Sequence, residues 1–190
     1  MKFFREHSSR IMRLFANQIG ITFFALVLTM AVISMKNDSL KIVVSALSIV
    51  FYLFLIYTAM WEAGAADIIG IENGRKPKIP FYAVKVALWA SVPNLILGVL
   101  LSITCVFFDG FGFDWAGLCF GVLHIIAGLF EAMYVGLFSY LIEGMADTTQ
   151  HVVVSLLYLA SSLPLIAVSA GAYALGLKNV GAVGGKSKKK

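Results

Sequence analysis

The chain has 190 residues, of which 60% are hydrophobic and 13% charged, with a formal net charge of +5 and a mean hydropathy of +0.90. Soluble domains run nearer 45–50% apolar and about 25% charged, and a globule of this length has too little interior to hide the excess. A water-soluble domain, a disordered chain and a disulfide scaffold are excluded, which leaves a polytopic membrane protein. Its fold class is all-α, because in lipid the backbone must satisfy its own hydrogen bonds and nothing in the sequence alternates with period two.

Phe3, Phe4, His7, Ile11, Leu14 and Phe15 recur at helical spacing, with Arg5, Glu6, Ser9, Arg10 and Arg13 opposite. Residues 1–13 therefore read as an amphipathic helix lying on the membrane. Five uncharged or nearly uncharged runs follow, at 14–35, 42–61, 86–108, 115–142 and 152–177. Each reaches the ~20 residues that a helix needs to cross the hydrocarbon layer. The first is too long for a cleaved signal peptide. Asn17 and Gln18 open it and are expected at the interface. The fourth contains Glu131 and is expected to be one continuous helix. Residues 14–177 thus form a single transmembrane domain, followed by a basic tail at 178–190.

Lys and Arg concentrate at the N-terminus, in the loop holding Arg75, Lys76, Lys78 and Lys85, and in the tail. Positive charge is retained on the cytoplasmic side, so the N-terminus is expected inside a plasma membrane. The basic termini and loop would meet anionic lipid. Nucleic acid is not an expected partner, since no folded soluble face carries the charge. Five crossings would put the basic tail outside, against the rule. Either the tail crosses despite its charge, or the fifth run is broken at Pro164; full crossing is the reading taken.

Phe107-Phe108-Asp109-Gly110-Phe111-Gly112-Phe113-Asp114-Trp115 reads as an aromatic turn at the membrane–water boundary, its two aspartates solvated. Cys105 and Cys119 read as small apolar side chains. Glu62-Ala63-Gly64-Ala65-Ala66-Asp67 and Glu143-Gly144-Met145-Ala146-Asp147 each follow a run, and the next run carries Pro93 or Pro164 after small residues. This suggests a parallel repeat of spans two and three in spans four and five.

Trp61-Glu62-x-Gly64-x-x-Asp67, then Asn73-Gly74-Arg75, then Lys85 and Ala90-Ser91-Val92-Pro93, resembles a pattern of small multi-pass membrane proteins of Gram-positive bacteria. The resemblance implies a bacterial plasma-membrane protein and carries no catalytic role. Size and basic loops are also similar to the substrate-binding membrane subunits of vitamin uptake systems, which usually have six helices.

An ionisable residue inside a span costs about 2.5–3.5 kcal/mol and marks a functional site by default. Glu131 is that residue. On one straight helix His124 lies two turns before it and Tyr134 one turn after it, on the same face. Asn94 follows Pro93 and can serve a ligand or the carbonyl that proline frees. These four residues form a candidate solute or proton site; the competing role is hydrogen-bonded glue between helices. Trp61, Glu62, Asp67, Arg75, Lys76 and Lys78 form a second candidate surface at the inner membrane face. Gly-x-Ser-x-Gly, His-Glu-x-x-His, phosphate-loop and dinucleotide motifs are absent, and the three histidines have no metal-ligand spacing. Neither enzyme activity, nor a metal, nor a cofactor is expected. Two function classes remain: a small solute transporter or membrane solute-binding subunit centred on Glu131, and a non-enzymatic scaffold, regulator or immunity-type protein. The latter would act through a membrane-protein partner or as a homo-oligomer.

Overall fold

A computed structural model describes residues 2–34 and 38–178. The tail lysines Lys186, Lys188, Lys189 and Lys190, and Lys36 in the first connection, lie outside the described residues. Every regular element is helical: α1 (Lys2–Ser34), α2 (Asp38–Glu72), α3 (Tyr82–Cys105), a π-helical turn (Val106–Gly110), α4 (Asp114–Phe130), α5 (Ala132–Ile142), α6 (Asp147–Ala160) and α7 (Ser162–Leu177). Four stretches are long and apolar enough to cross a membrane: Phe3–Ala31, Ser39–Glu72, Tyr82–Gly110 and Asp147–Leu177. Their outward side chains are apolar, with Phe23 70% and Val50 66% exposed, as a lipid-facing surface requires.

Helix α1 runs through the expected boundary at 13–14. Its one departure from helical dihedrals is at His7 (φ −120°, ψ 15°). Gln18, expected at the interface, is 1% exposed. Pro93 sits inside α3 without ending it, and Pro164 sits in the first turn of α7, within one apolar helical stretch from Asp147 to Leu177. Where α2 ends, Gly74 takes φ +67°. Its N–H bonds the Ile71 carbonyl at 3.1 Å and the Arg75 N–H bonds that of Gly70 at 2.9 Å. This left-handed glycine cap pairs the last carbonyls of the helix and turns the chain back. The Lys76 stem then lies along Gly70.

The expected fourth span is not one helix. It divides at Glu131, whose φ −120° and ψ 35° are not helical, and the chain doubles back there. His124, seven positions before Glu131, and Phe138, seven after, both pack on Tyr158, with ring centroids 5.7 and 5.3 Å away. On one straight helix they would be about 21 Å apart. Phe120 meets His151 and His124 meets Tyr158, so α4 runs parallel to α6. Tyr134 reaches Ser161 and Phe138 reaches Tyr158, so α5 runs antiparallel to it. Helix α3 is antiparallel to α6 as well, since Asp109 bonds His151 and Gly98 abuts Leu159. The expected repeat has no counterpart here. Helix α2 is one unbroken helix of 35 residues, whereas the segment it should match is two helices of 17 and 11.

Residues divide into two compact units, 2–17, 52–90 and 163–178 in the first, 18–34, 38–51 and 91–162 in the second. In the first, α2 and α7 touch backbone to backbone. A Cβ on Gly64 would collide with the Tyr173 carbonyl, and one on Gly176 with the Trp61 carbonyl. Small residues allow this approach, which lets dispersion hold helices together where water exclusion does not act. In the second unit, Gly136 is pressed against Ser45 and the Lys41 carbonyl in the same manner.

Candidate functional site

The turn at Glu131 is held from several elements of its unit. Glu131 N–H still bonds the Ala127 carbonyl at 2.8 Å, but the Tyr134 N–H bonds Glu131 rather than Phe130. The freed Phe130 carbonyl accepts the Thr22 hydroxyl of α1 at 2.8 Å. An irregular turn in an apolar interior survives only when its polar groups are so re-paired. Glu131 is 2% exposed. Its Oε1 lies 2.8 Å from Ser161 Oγ, which also lies 2.7 Å from the Tyr158 carbonyl. A hydroxyl has one proton and cannot donate to both. When Ser161 donates to Tyr158, only a protonated Glu131 donating to Ser161 completes the pair. The Tyr134 hydroxyl donates to the Ser161 carbonyl at 3.5 Å.

Polar atoms of this unit are buried without a partner among the described residues, among them Glu131 Oε2, Asn94 Oδ1, Ser162 Oγ and both amide atoms of Gln18. The antiparallel register of α3 and α6, fixed by Gly98 against Leu159, brings Asn94 to the level of Ser162. Such atoms are costly to bury unpaired, and a site of this kind takes up a ligand, water or proton. Between the arms of the hairpin is a cavity of about 330 Å³, its walls including Met30, His124, Gly128, Ala132, Phe138 and Tyr158.

Of the residues singled out in the sequence, Glu131 and Tyr134 thus meet at Ser161, and Asn94 is buried in the same unit. His124 does not join Glu131 in a column along one helix face, because the chain bends between them and Tyr134. Instead it stacks on Phe120 and faces Tyr158, its Nδ1 buried and unpartnered. Asp109, expected to be solvated, is mostly covered. It accepts from Cys105 Sγ at 3.4 Å and lies 3.1 Å from His151 Nδ1.

The second candidate surface lies in the other unit and centres on Asp67, which is 6% exposed. Arg10 grips both carboxylate oxygens, one at 2.8 Å, Lys76 donates at 2.8 Å and the Tyr173 hydroxyl at 3.0 Å. Arg10 also donates to Tyr82 at 3.0 Å and lies over its ring, while Tyr82 meets His7. Glu62 pairs with Arg13 at 2.7 Å in the open, and Arg75 and Lys78 are exposed. Trp61 lends its carbonyl to the Gly176 crossing. A cavity of about 450 Å³ is bordered by Glu6, His7, Arg10, Asp67, Lys76, Tyr82 and Tyr173, and not by Trp61, Glu62, Arg75 or Lys78. Arg10 and Tyr173 were not legible as partners of Asp67; the only signal was a carboxylate five residues beyond Glu62 on an otherwise apolar helix. Among the described residues no group of His, Cys, Asp and Glu is arranged to hold a metal ion.

Comparison with protein-family profiles, curated proteins and solved structures finds no match to this chain.

Proposed function

We propose that the protein is a small membrane transporter or solute-binding subunit of the plasma membrane, working through Glu131. On this reading four helices cross the bilayer. Helices α4 and α5 form a re-entrant pair that enters and leaves on one side with Glu131 at its apex. Broken helices at membrane depth are a recurrent way to present backbone and side-chain groups to a solute or ion. The observation that carries the reading is the reversal itself, with a buried carboxylate oxygen left open at its tip.

An even number of crossings returns the chain to its starting side. Apart from Lys36 and Lys41, every Lys and Arg then belongs to segments on the side of the N-terminus, which the positive-inside rule makes cytoplasmic. The basic tail that contradicted a five-span topology agrees with this one. The open groups are acceptors in the main: Glu131 Oε2, Asn94 Oδ1, Ser162 Oγ. They suit a cation or an amine-bearing solute, and the largely apolar hairpin cavity suits a carbon frame beside it. The cavity favours this reading over a partner-acting scaffold, which needs no internal space.

A thermal-shift screen of the purified chain in detergent tests the proposal, using sodium, potassium, putrescine, choline and the amino acids as probes. A compound at about a hundred times its Kd stabilises by about 2.7 kcal/mol. At least one probe should raise the melting temperature of the wild type and leave Glu131→Gln unmoved. No shift with any probe, or equal shifts in both proteins, contradicts it.

A further inference from the structure

A series of titratable side chains leads from the Asp109 end of the second unit to the turn at Glu131. The His151 side chain is 28% exposed and within reach of water, and Asp109 faces its Nδ1 at 3.1 Å. His151 packs on Phe120 at 4.7 Å between ring centroids, and His124 stacks on the same ring at 6.1 Å. His124 meets Tyr158 edge-on at 5.7 Å. The Tyr158 hydroxyl lies beside Gly128, three residues before Glu131, and its carbonyl shares Ser161 with the Glu131 carboxyl. His124 Nδ1 and Glu131 Oε2 are both buried and have no partner among the described residues. The hairpin cavity of about 330 Å³ is bordered by His124 and Tyr158 and by Gly128, Leu129 and Ala132 on either side of Glu131, and bridging waters would stand there.

We propose that Asp109, His151, His124 and Tyr158 form a proton path to Glu131. The inference rests on reading Glu131 as a working site and adds the ion and its route. A proton taken up on the free nitrogen of His151 is balanced by Asp109 on the other. It passes through water to Nδ1 of His124, whose second nitrogen releases a proton toward Tyr158 and on to Oε2 of Glu131. Each hop breaks one N–H or O–H bond and forms another, so no co-reactant is consumed. Histidine suits the part because it gains and loses a proton near neutral pH. The other titratable groups in contact with the path are Tyr134 on α5, which reaches Ser161, and Cys105, which donates to Asp109. Helices α1 and α3 contribute Thr22, Gln18 and Asn94, which do not titrate. A proton on Glu131 and a cation beside it would compete for the same oxygen, which is the elementary requirement for coupling.

Rapid-mixing infrared spectroscopy of the full chain in lipid nanodiscs tests the path, with the Glu131 carboxyl band identified by its loss in Glu131→Gln. After an acid jump, His124→Phe and Tyr158→Phe should each slow proton uptake at Glu131 by at least about tenfold, as loss of a positioned proton carrier does. The equilibrium midpoint should move little, since neither residue bonds Glu131. Phe fills the ring space at both positions, and where a variant fails to fold, uptake by the wild type in deuterium oxide provides the second measurement, with slowing expected. Unchanged uptake in both variants, or no isotope slowing, overturns the path while Glu131 still titrates. If no carboxyl band disappears in Glu131→Gln, the reading of Glu131 itself fails.

Discussion

Replacing Asp67 with Asn removes the one negative charge that Arg10, Lys76 and Tyr173 share. The amide keeps one acceptor oxygen but turns an NH₂ group toward a guanidinium. Breaking a fully buried ion pair costs about 3–5 kcal/mol, because the remaining charge is stranded; an exposed pair is worth about 0–1 kcal/mol. Side-chain exposure decides between these limits. Asp67 is 8% exposed and Arg10 27%, whereas Lys76 is 53% exposed. The Arg10 bond therefore counts toward the buried value and the Lys76 bond toward the surface value, giving about 2–3 kcal/mol for Asp67→Asn. For a chain of this size that lowers the melting temperature by about 4–12 °C. Lys76→Met should cost less than about 1 kcal/mol. Pairing Arg10→Met with Asp67→Leu should recover much of the loss, since no charge is then stranded. Differential scanning fluorimetry in detergent, at fixed protein and detergent concentration, reads all of these. Equal shifts for Asp67→Asn and Lys76→Met would refute the assignment of Asp67 and Arg10 as the stabilising pair.

Gly176→Ala places a methyl against the Trp61 carbonyl and should destabilise by about 1–3 kcal/mol. Gly171→Ala, with open space at its Cβ, should be neutral or gain up to about 1 kcal/mol of helix propensity; equal melting shifts would refute the α2–α7 crossing. Thr22→Val leaves the Phe130 carbonyl unpaired and should cost about 0.6–1.7 kcal/mol, read by chemical denaturation in mixed micelles. Ser161→Ala removes the group that joins Glu131 to Tyr158. It should shift the acid–base midpoint of the Glu131 infrared band, whereas Ser139→Ala, whose hydroxyl bonds only the Val135 carbonyl, should not.

Four of the long apolar helices could be recognised from hydropathy, because length and apolar content alone decide whether a helix can cross lipid. The reversal at Glu131 could not be. Residues 115–142 are as apolar as a span, and nothing like proline marks the break; it is made by tertiary bonds such as Thr22 to Phe130, which sequence spacing does not reveal. Glu131 itself stood out because a carboxylate among apolar residues needs a reason. The basic tail was the one sequence feature at odds with five crossings, and it agrees with the four-crossing topology proposed above. Asp67 was visible only as a surface charge, since its partners Arg10 and Tyr173 lie 57 and 106 positions away. Charge placement along a chain does not say which distant helix supplies the counterion.

The side on which the α5–α6 connection emerges tests the account most directly. Single cysteines at Gly112 and Met145, in a background with Cys105 and Cys119 replaced by Ser, can be labelled in intact cells with a membrane-impermeant maleimide. A hairpin that turns back at Glu131 predicts that both positions are labelled from the same, external side. Labelling of position 112 but not of position 145, until the membrane is permeabilised, would mean that residues 114–142 cross the bilayer and would contradict the re-entrant reading.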